Sequence, residues 1–171
     1  MHLRYVSPHL RQLDTVAGEV LACCLFEDER PMRGVVSLVD WRMTSRVSRY
    51  VQRGHITGRF GETTLLPPQP RVPFEKLFLF GLGPIAKFDE RVFVETVDRM
   101  LHTLTKMRVR MAVVERPGRH TFLIEAPRAV DLIMEASGAA HHQDVWTLVE
   151  DPADQKRMAQ HLAALRRQKS S

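Results

Sequence analysis

The chain has 171 residues, 44% of them apolar, and no apolar run of roughly 18 residues, so it reads as a single domain over 1–171 with a sizeable core and no membrane-spanning helix. Twenty-five Lys and Arg against 20 Asp and Glu make it mildly basic, which leaves an acidic partner or nucleic acid open without requiring either. The N-terminus carries no secretory segment, and Cys23 and Cys24 are adjacent on a strand pattern with no CxxC partner, which points to buried thiols and a cytoplasmic location.

In chain order, a short strand is expected at residues 3–6, followed by a stretch to residue 18 with no assignable pattern. Residues 19–26 form a continuous apolar run, as a strand buried on both faces does, closed by Glu27-Asp28-Glu29. Residues 40–53 read as one helix with Met43, Val47, Tyr50 and Val51 as its apolar stripe and Gly54 as its C-cap. On that helix Arg42, Arg46, Arg49 and Arg53 fall at spacings of four, three and four, which places four guanidinium groups along one side. Like charges in such a row repel by a few tenths of a kcal/mol per pair, so a solvated face balanced by acids elsewhere and an anion or nucleic-acid face both stay open. Arg59 extends the row beyond the helix. A short strand at 63–66 and the prolines 67, 68, 70 and 73 then lead into the segment on which the chain is organised.

That segment is 74–84, where the all-apolar Leu77 to Phe80 predicts a strand covered on both faces. It feeds the glycine turn Gly81-Leu82-Gly83, and with Lys87 this turn is a candidate phosphate or nucleotide loop. The loop lacks the third glycine of the dinucleotide fingerprint, and Asp89 and Glu90 would repel a phosphate, so tight strand-to-helix packing is the competing reading. A helix over 88–107 follows, with Val92, Phe93, Thr96, Val97, Met100, Leu101 and Leu104 at three- and four-residue spacing. Strands are expected at 111–114, at 121–124 and at 145–149. A helix at 128–136 ends at Gly138, and a terminal helix runs through residue 167 with a frayed tail at 168–171.

Strands alternating with helices predict a three-layer α/β/α sandwich with a mixed, largely parallel sheet. The eight histidines show no HxxxH or HExxH spacing, and no GxSxG elbow occurs, so no metal ligand, cofactor or catalytic residue is assigned.

Leu25-Phe26, the Gly34 loop, the helix from Arg42 to Gly54, Gly58-Arg59-Phe60-Gly61-Glu62 and Leu77-Phe78-Leu79-Phe80-Gly81-Leu82-Gly83 together resemble the N-terminal domain of the leucyl aminopeptidases, over residues 19–107. The resemblance implies a macro-domain-like fold that is non-catalytic and supports a hexameric metallopeptidase. Residues 144–165 are similar to the end of macro domains, which implies one complete module. The family's two-metal carboxylate and lysine cluster and its Asn-Thr-Asp-Ala-Glu-Gly-Arg-Leu signature have no counterpart in the 171 residues, so no peptidase residue carries over. The expectation is a binding or assembly module whose ligand is a nucleotide-like anion, nucleic acid or a protein chain. A homo-oligomer and an aminopeptidase-family partner chain are both expected under it. The alternatives are a small hydrolase acting on ADP-ribose-type ligands and an accessory chain of an aminopeptidase.

Overall fold

The computed structural model describes residues 1–16, 18–142 and 144–169. Six strands form one sheet: β1 (His2–Val6), β2 (Gly18–Leu25), β3 (Thr63–Leu66), β4 (Phe74–Gly81), β5 (Met111–Val114) and β6 (Val145–Val149), in the order β1-β6-β5-β2-β4-β3. All neighbours are parallel except β3, which runs antiparallel to β4 at one edge. The strand built on Leu77 to Phe80 is therefore one position in from the edge, and β2 and β5 hold the middle.

The helices are α1 (Leu10–Thr15), α2 (Val35–Arg42), α3 (Arg46–Gln52), α4 (Glu90–Lys106), α5 (Ala126–Ser137) and α6 (Pro152–Lys169). Alternation along the strands divides the core between them. Val20, Ala22 and Cys24 face α4, α5 and α6, whereas Leu21, Cys23 and Leu25 face α1, α2 and α3. The two thiols thus lie on opposite faces of β2, both buried, as an adjacent pair on a strand must.

The long amphipathic helix forms as its pattern predicts. Asp89 caps α4 by accepting from Val92 N–H at 2.9 Å, and all seven apolar-stripe positions from Val92 to Leu104 are buried. Six of these are large apolar side chains at about 1.5–3 kcal/mol each, so α4 contributes on the order of 10 kcal/mol of transfer free energy before chain entropy is counted.

Three expectations need correction. The helix over 40–53 is two helices. Thr44 and Ser45 adopt left-handed φ values of 57° and 60°, and the buried Asp40 carboxylate accepts from the Ser48 N–H and hydroxyl, capping α3 from across the break. The unassigned stretch before residue 18 contains α1, held by the buried Leu13. Residues 121–124 form no strand: Arg119–Thr121 is a single 3-10 turn and Phe122 is left-handed at φ 57°. Of the tail expected at 168–171, residues 168 and 169 continue α6, and residues 170–171 lie outside the described residues. No helix among the described residues is long and apolar enough to cross a membrane.

Candidate functional site

In an open α/β sheet, ligands bind beyond the C-terminal ends of the strands, where neighbouring connections leave toward opposite faces. That place is the end of β2. Its connection leads to α2 on one face, while those of the flanking β4 and β5 lead to α4 and α5 on the other. At that end of the sheet lie the 26–34 loop, residues 82–83 after β4, residues 115–120 after β5 and Glu150 after β6.

The N-terminus of α2 lies beside Glu115 and His120 there, and the amides and dipole of a helix N-terminus favour an anion. That position is already occupied by a carboxyl group of the chain itself. Glu115, 2% exposed, accepts a hydrogen bond from Val35 N–H at 2.8 Å, and its own amide donates to Ala22 O at 2.8 Å, which fixes it to the sheet. The fit requires a glycine: Gly34 has φ +80°, and a Cβ there would lie 2.4 Å from the Glu115 carboxylate and 3.1 Å from the His120 ring. Burial pushes the Glu115 carboxyl above its usual range, against the opposing pull of Arg119, the Val35 amide and His120.

Around Glu115 the charges are dense and mostly paired with one another. Arg116, 1% exposed, donates from Nε to the fully buried Glu150 at 2.5 Å and from its NH1 to Ile124 O at 3.1 Å, and it reaches Asp154 at 3.5 Å. Arg119 donates to Asp151 at 3.0 Å and lies 3.6 Å from Glu115. His120 bonds Glu29 at 2.8 Å through Nε2 and sets its ring edge-on to Phe26. Burial raises Glu150 to about 7 against the opposing charge of Arg116. Among the described residues three buried atoms of this network have no hydrogen-bond partner: Glu115 Oε2, Glu150 Oε2 and Arg119 Nε. The network ties α2, the β5 loop and the start of α6 together.

The predicted glycine loop sits beside this crevice with its amides committed. Gly81 N–H donates to Glu62 O at 2.9 Å, Leu82 N–H to Leu25 O at 3.0 Å and Gly83 N–H to Gly58 O at 2.9 Å. The reason for a glycine at position 81 is the neighbouring loop, since a Cβ there would lie 2.1 Å from Arg59 O. Lys87 is exposed on a 3-10 turn after the loop.

The break between α2 and α3 separates Arg42 from Arg46, Arg49 and Arg53, which keep their three- and four-residue spacing on α3 and its C-cap. Arg42 pairs with Asp14 from α2, Arg46 donates to Pro67 O at 2.9 Å, and Arg49 donates to Thr44 O at 2.6 Å. Arg53 is the C-cap residue of α3, and Arg59 lies 3.5 Å from Glu27. The four arginines expected on one helix are thus divided between α2 and α3, with Arg59 in the loop beyond.

The sequence patterns single out none of Glu115, Arg116, Arg119 and Glu150. A usable signal was there. Acid-base residues follow directly on two buried apolar strands, at Glu115-Arg116 and Glu150-Asp151, where strand-end side chains converge.

The layers, the sheet order and the strand-end crevice define a macrodomain-like α/β/α module. A macrodomain of Oceanobacillus iheyensis, solved with ADP, superposes with a TM-score of 0.67 at 11% identity, covering 89% of this chain and 86% of that one. The chain belongs to the cytosol aminopeptidase family, whose N-terminal domain matches residues 24–144. A probable cytosol aminopeptidase of Synechocystis sp. is 24% identical over 142 residues, which are 83% of this chain and 28% of that relative. A mutant tomato leucine aminopeptidase superposes with a TM-score of 0.62 at 10% identity, over 94% of this chain and 35% of that one. The chain thus spans about a third or less of the length of the aminopeptidases it matches.

Proposed function

We propose that this domain is a non-catalytic assembly module of the aminopeptidase family, acting in the cytoplasm through a protein partner, either an aminopeptidase-family chain or a second copy of itself. The observation that carries this reading is the Glu115 oxygen 2.8 Å from Val35 N–H. The chain's own carboxylate stands at the helix N-terminus where a nucleotide phosphate would be held, so the crevice works as a structural joint. Large apolar side chains left on the surface favour a protein partner: Trp41 is 74% exposed, and the adjacent Phe122 and Leu123 are 70% and 57% exposed.

A second reading has one observation in its favour. Arg119, His120 and the α2 N-terminus gather around Glu115, which is the electrostatics an ADP-ribose-type ligand or its hydrolysis would use, and a structural neighbour is solved with ADP. Two measurements decide between the readings. Sedimentation velocity at high micromolar concentration, alone and with an aminopeptidase catalytic chain, should show a species heavier than the 19.7 kDa monomer. Release of leucine from a peptide, with and without manganese or zinc, should stay at background. A persistent monomer that engages no partner, or metal-dependent leucine release by the pure chain, would remove the assembly reading.

A further inference from the structure

Phe122 and Leu123 form an apolar tip that the chain holds away from its own core, while the next residue, Ile124, is buried. Phe122 is left-handed at φ 57°, a strained backbone for a bulky side chain, and outliers of this kind cluster where a protein holds a contact ready. The base of the tip is fixed. Thr121 donates from its N–H and its hydroxyl to Gly118 O at 3.0 and 2.7 Å, and Arg116 donates to Ile124 O at 3.1 Å.

The tip lies at one end of the seam between α5 and α6, and an apolar groove opens at the other. Beside the tip, Arg157 of α6 bonds Glu125 at 2.5 Å; further along, His161 bonds Asp131 at 2.8 Å. Beyond that pair the seam opens toward β1 into a groove of about 680 Å³, with Leu3, Met134, Leu162 and Leu165 as its apolar lining. Asp131 and Glu135 together with Arg166 give the lining no single sign of charge, so its apolar side chains decide what it holds. The length of α5 keeps tip and groove on the order of 15 Å apart, so the tip cannot fill the groove of its own chain.

Resting on the assembly reading above, we propose that the occupant of this groove is a second copy of the chain. Two copies pack α5 against α5, antiparallel, about a two-fold axis near Asp131 and His161, and each places Phe122 and Leu123 in the other's groove. Such an interface is isologous and closes at two chains. The charges agree with it. Arg128 lies toward the tip end of α5 and Glu135 toward the groove end, both exposed, so the antiparallel arrangement sets Arg128 of each copy beside Glu135 of the other.

The test is sedimentation equilibrium of the full chain, with amide NMR on the same samples. Wild type should pass from the 19.7 kDa monomer toward a dimer through the micromolar range, and the amides of 122–123 should shift together with those of Met134 and Leu165. Phe122→Gly suits a left-handed φ and Leu165→Glu falls on a partly exposed helical position, so both variants should keep the fold. Each should weaken the dimer by at least about tenfold, as loss of a central apolar anchor does. Mixing the two variants should restore association in part, because the Leu165→Glu copy still offers its tip and the Phe122→Gly copy its groove. A dimer that survives both substitutions, or a mixture no tighter than either variant alone, would overturn the proposal and leave the assembly reading in place. So would a wild-type chain that stays monomeric yet binds an aminopeptidase catalytic chain, whereas a monomer that engages neither would remove both.

Discussion

Replacing Glu115 asks whether the strand-end crevice is held shut by the chain's own carboxylate. In Glu115→Ala the amide of Val35 loses the oxygen 2.8 Å away, and Arg119 loses its neighbour at 3.6 Å. A buried N–H left without a partner costs about 1–3 kcal/mol. The hole left by the deleted side chain adds on the order of 1 kcal/mol. The sum is about 2–4 kcal/mol, and at roughly 2–4 °C per kcal/mol for a chain of this size the Tm falls by about 5–15 °C. Glu115→Gln keeps an oxygen for Val35 and removes the charge that burial penalises, so its cost is under about 1 kcal/mol. The pH dependence separates the two effects. Because the folded carboxyl lies above its ordinary value of 4.5, its contribution to stability is complete at low pH and is lost as pH rises through the folded value. Wild-type stability should therefore decline from this group as pH rises above its ordinary value, and the Gln variant should lack that part of the decline. Urea unfolding at several pH values reads both effects. Acetate, as a replacement anion at the α2 N-terminus, should restore part of what Glu115→Ala loses. Equal stability of the Ala and Gln variants across the pH range, with no response to acetate, would refute the reasoning.

Glu150, lifted to about 7, adds to stability below its unfolded value and loses that contribution as pH rises through about 7; a carboxyl ¹³C titration centred near 7 supports this, and one near 4.5 would mean that the Arg116 charge prevails over burial. Gly81→Ala should cost more than about 3 kcal/mol or abolish folding, because the new Cβ meets Arg59 O at 2.1 Å; a circular dichroism melt within a degree of wild type would contradict the packing described. If Arg46 and Arg49 contact nucleic acid through phosphates, duplex binding should weaken steeply with salt, and Arg46→Gln with Arg49→Gln should reduce the log–log slope by up to about two units. An unchanged slope and affinity would make both residues structural, consistent with their bonds to Pro67 O and Thr44 O.

The layers were readable because periodicity reports burial directly. Leu77 to Phe80 is apolar on both faces and lies in a covered strand, and the seven stripe positions of α4 are the seven that are buried. The break between α2 and α3 was not readable from periodicity, because Met43 and Val47 stay buried on either side of it. What ends the helix is a side-chain cap, Asp40 on Ser48, together with two left-handed residues that carry no glycine signal. The glycine loop misled in a different way. A glycine permits an approach without saying what approaches, and here it is the Arg59 backbone in place of a phosphate. The crevice itself depends on Glu115 from β5 reaching Val35 eighty positions earlier, and local sequence patterns carry no information on such a contact.

The central claim is that this crevice holds the chain's own carboxylate as a structural joint. Its most direct measurement is an amide NMR titration with ADP and ADP-ribose that follows Gly34, Val35 and Glu115 up to millimolar ligand. The account predicts that these three resonances do not move in wild type and that Glu115→Ala becomes responsive to the added phosphates. Saturable shifts at Gly34 and Val35 in the wild-type chain would contradict it.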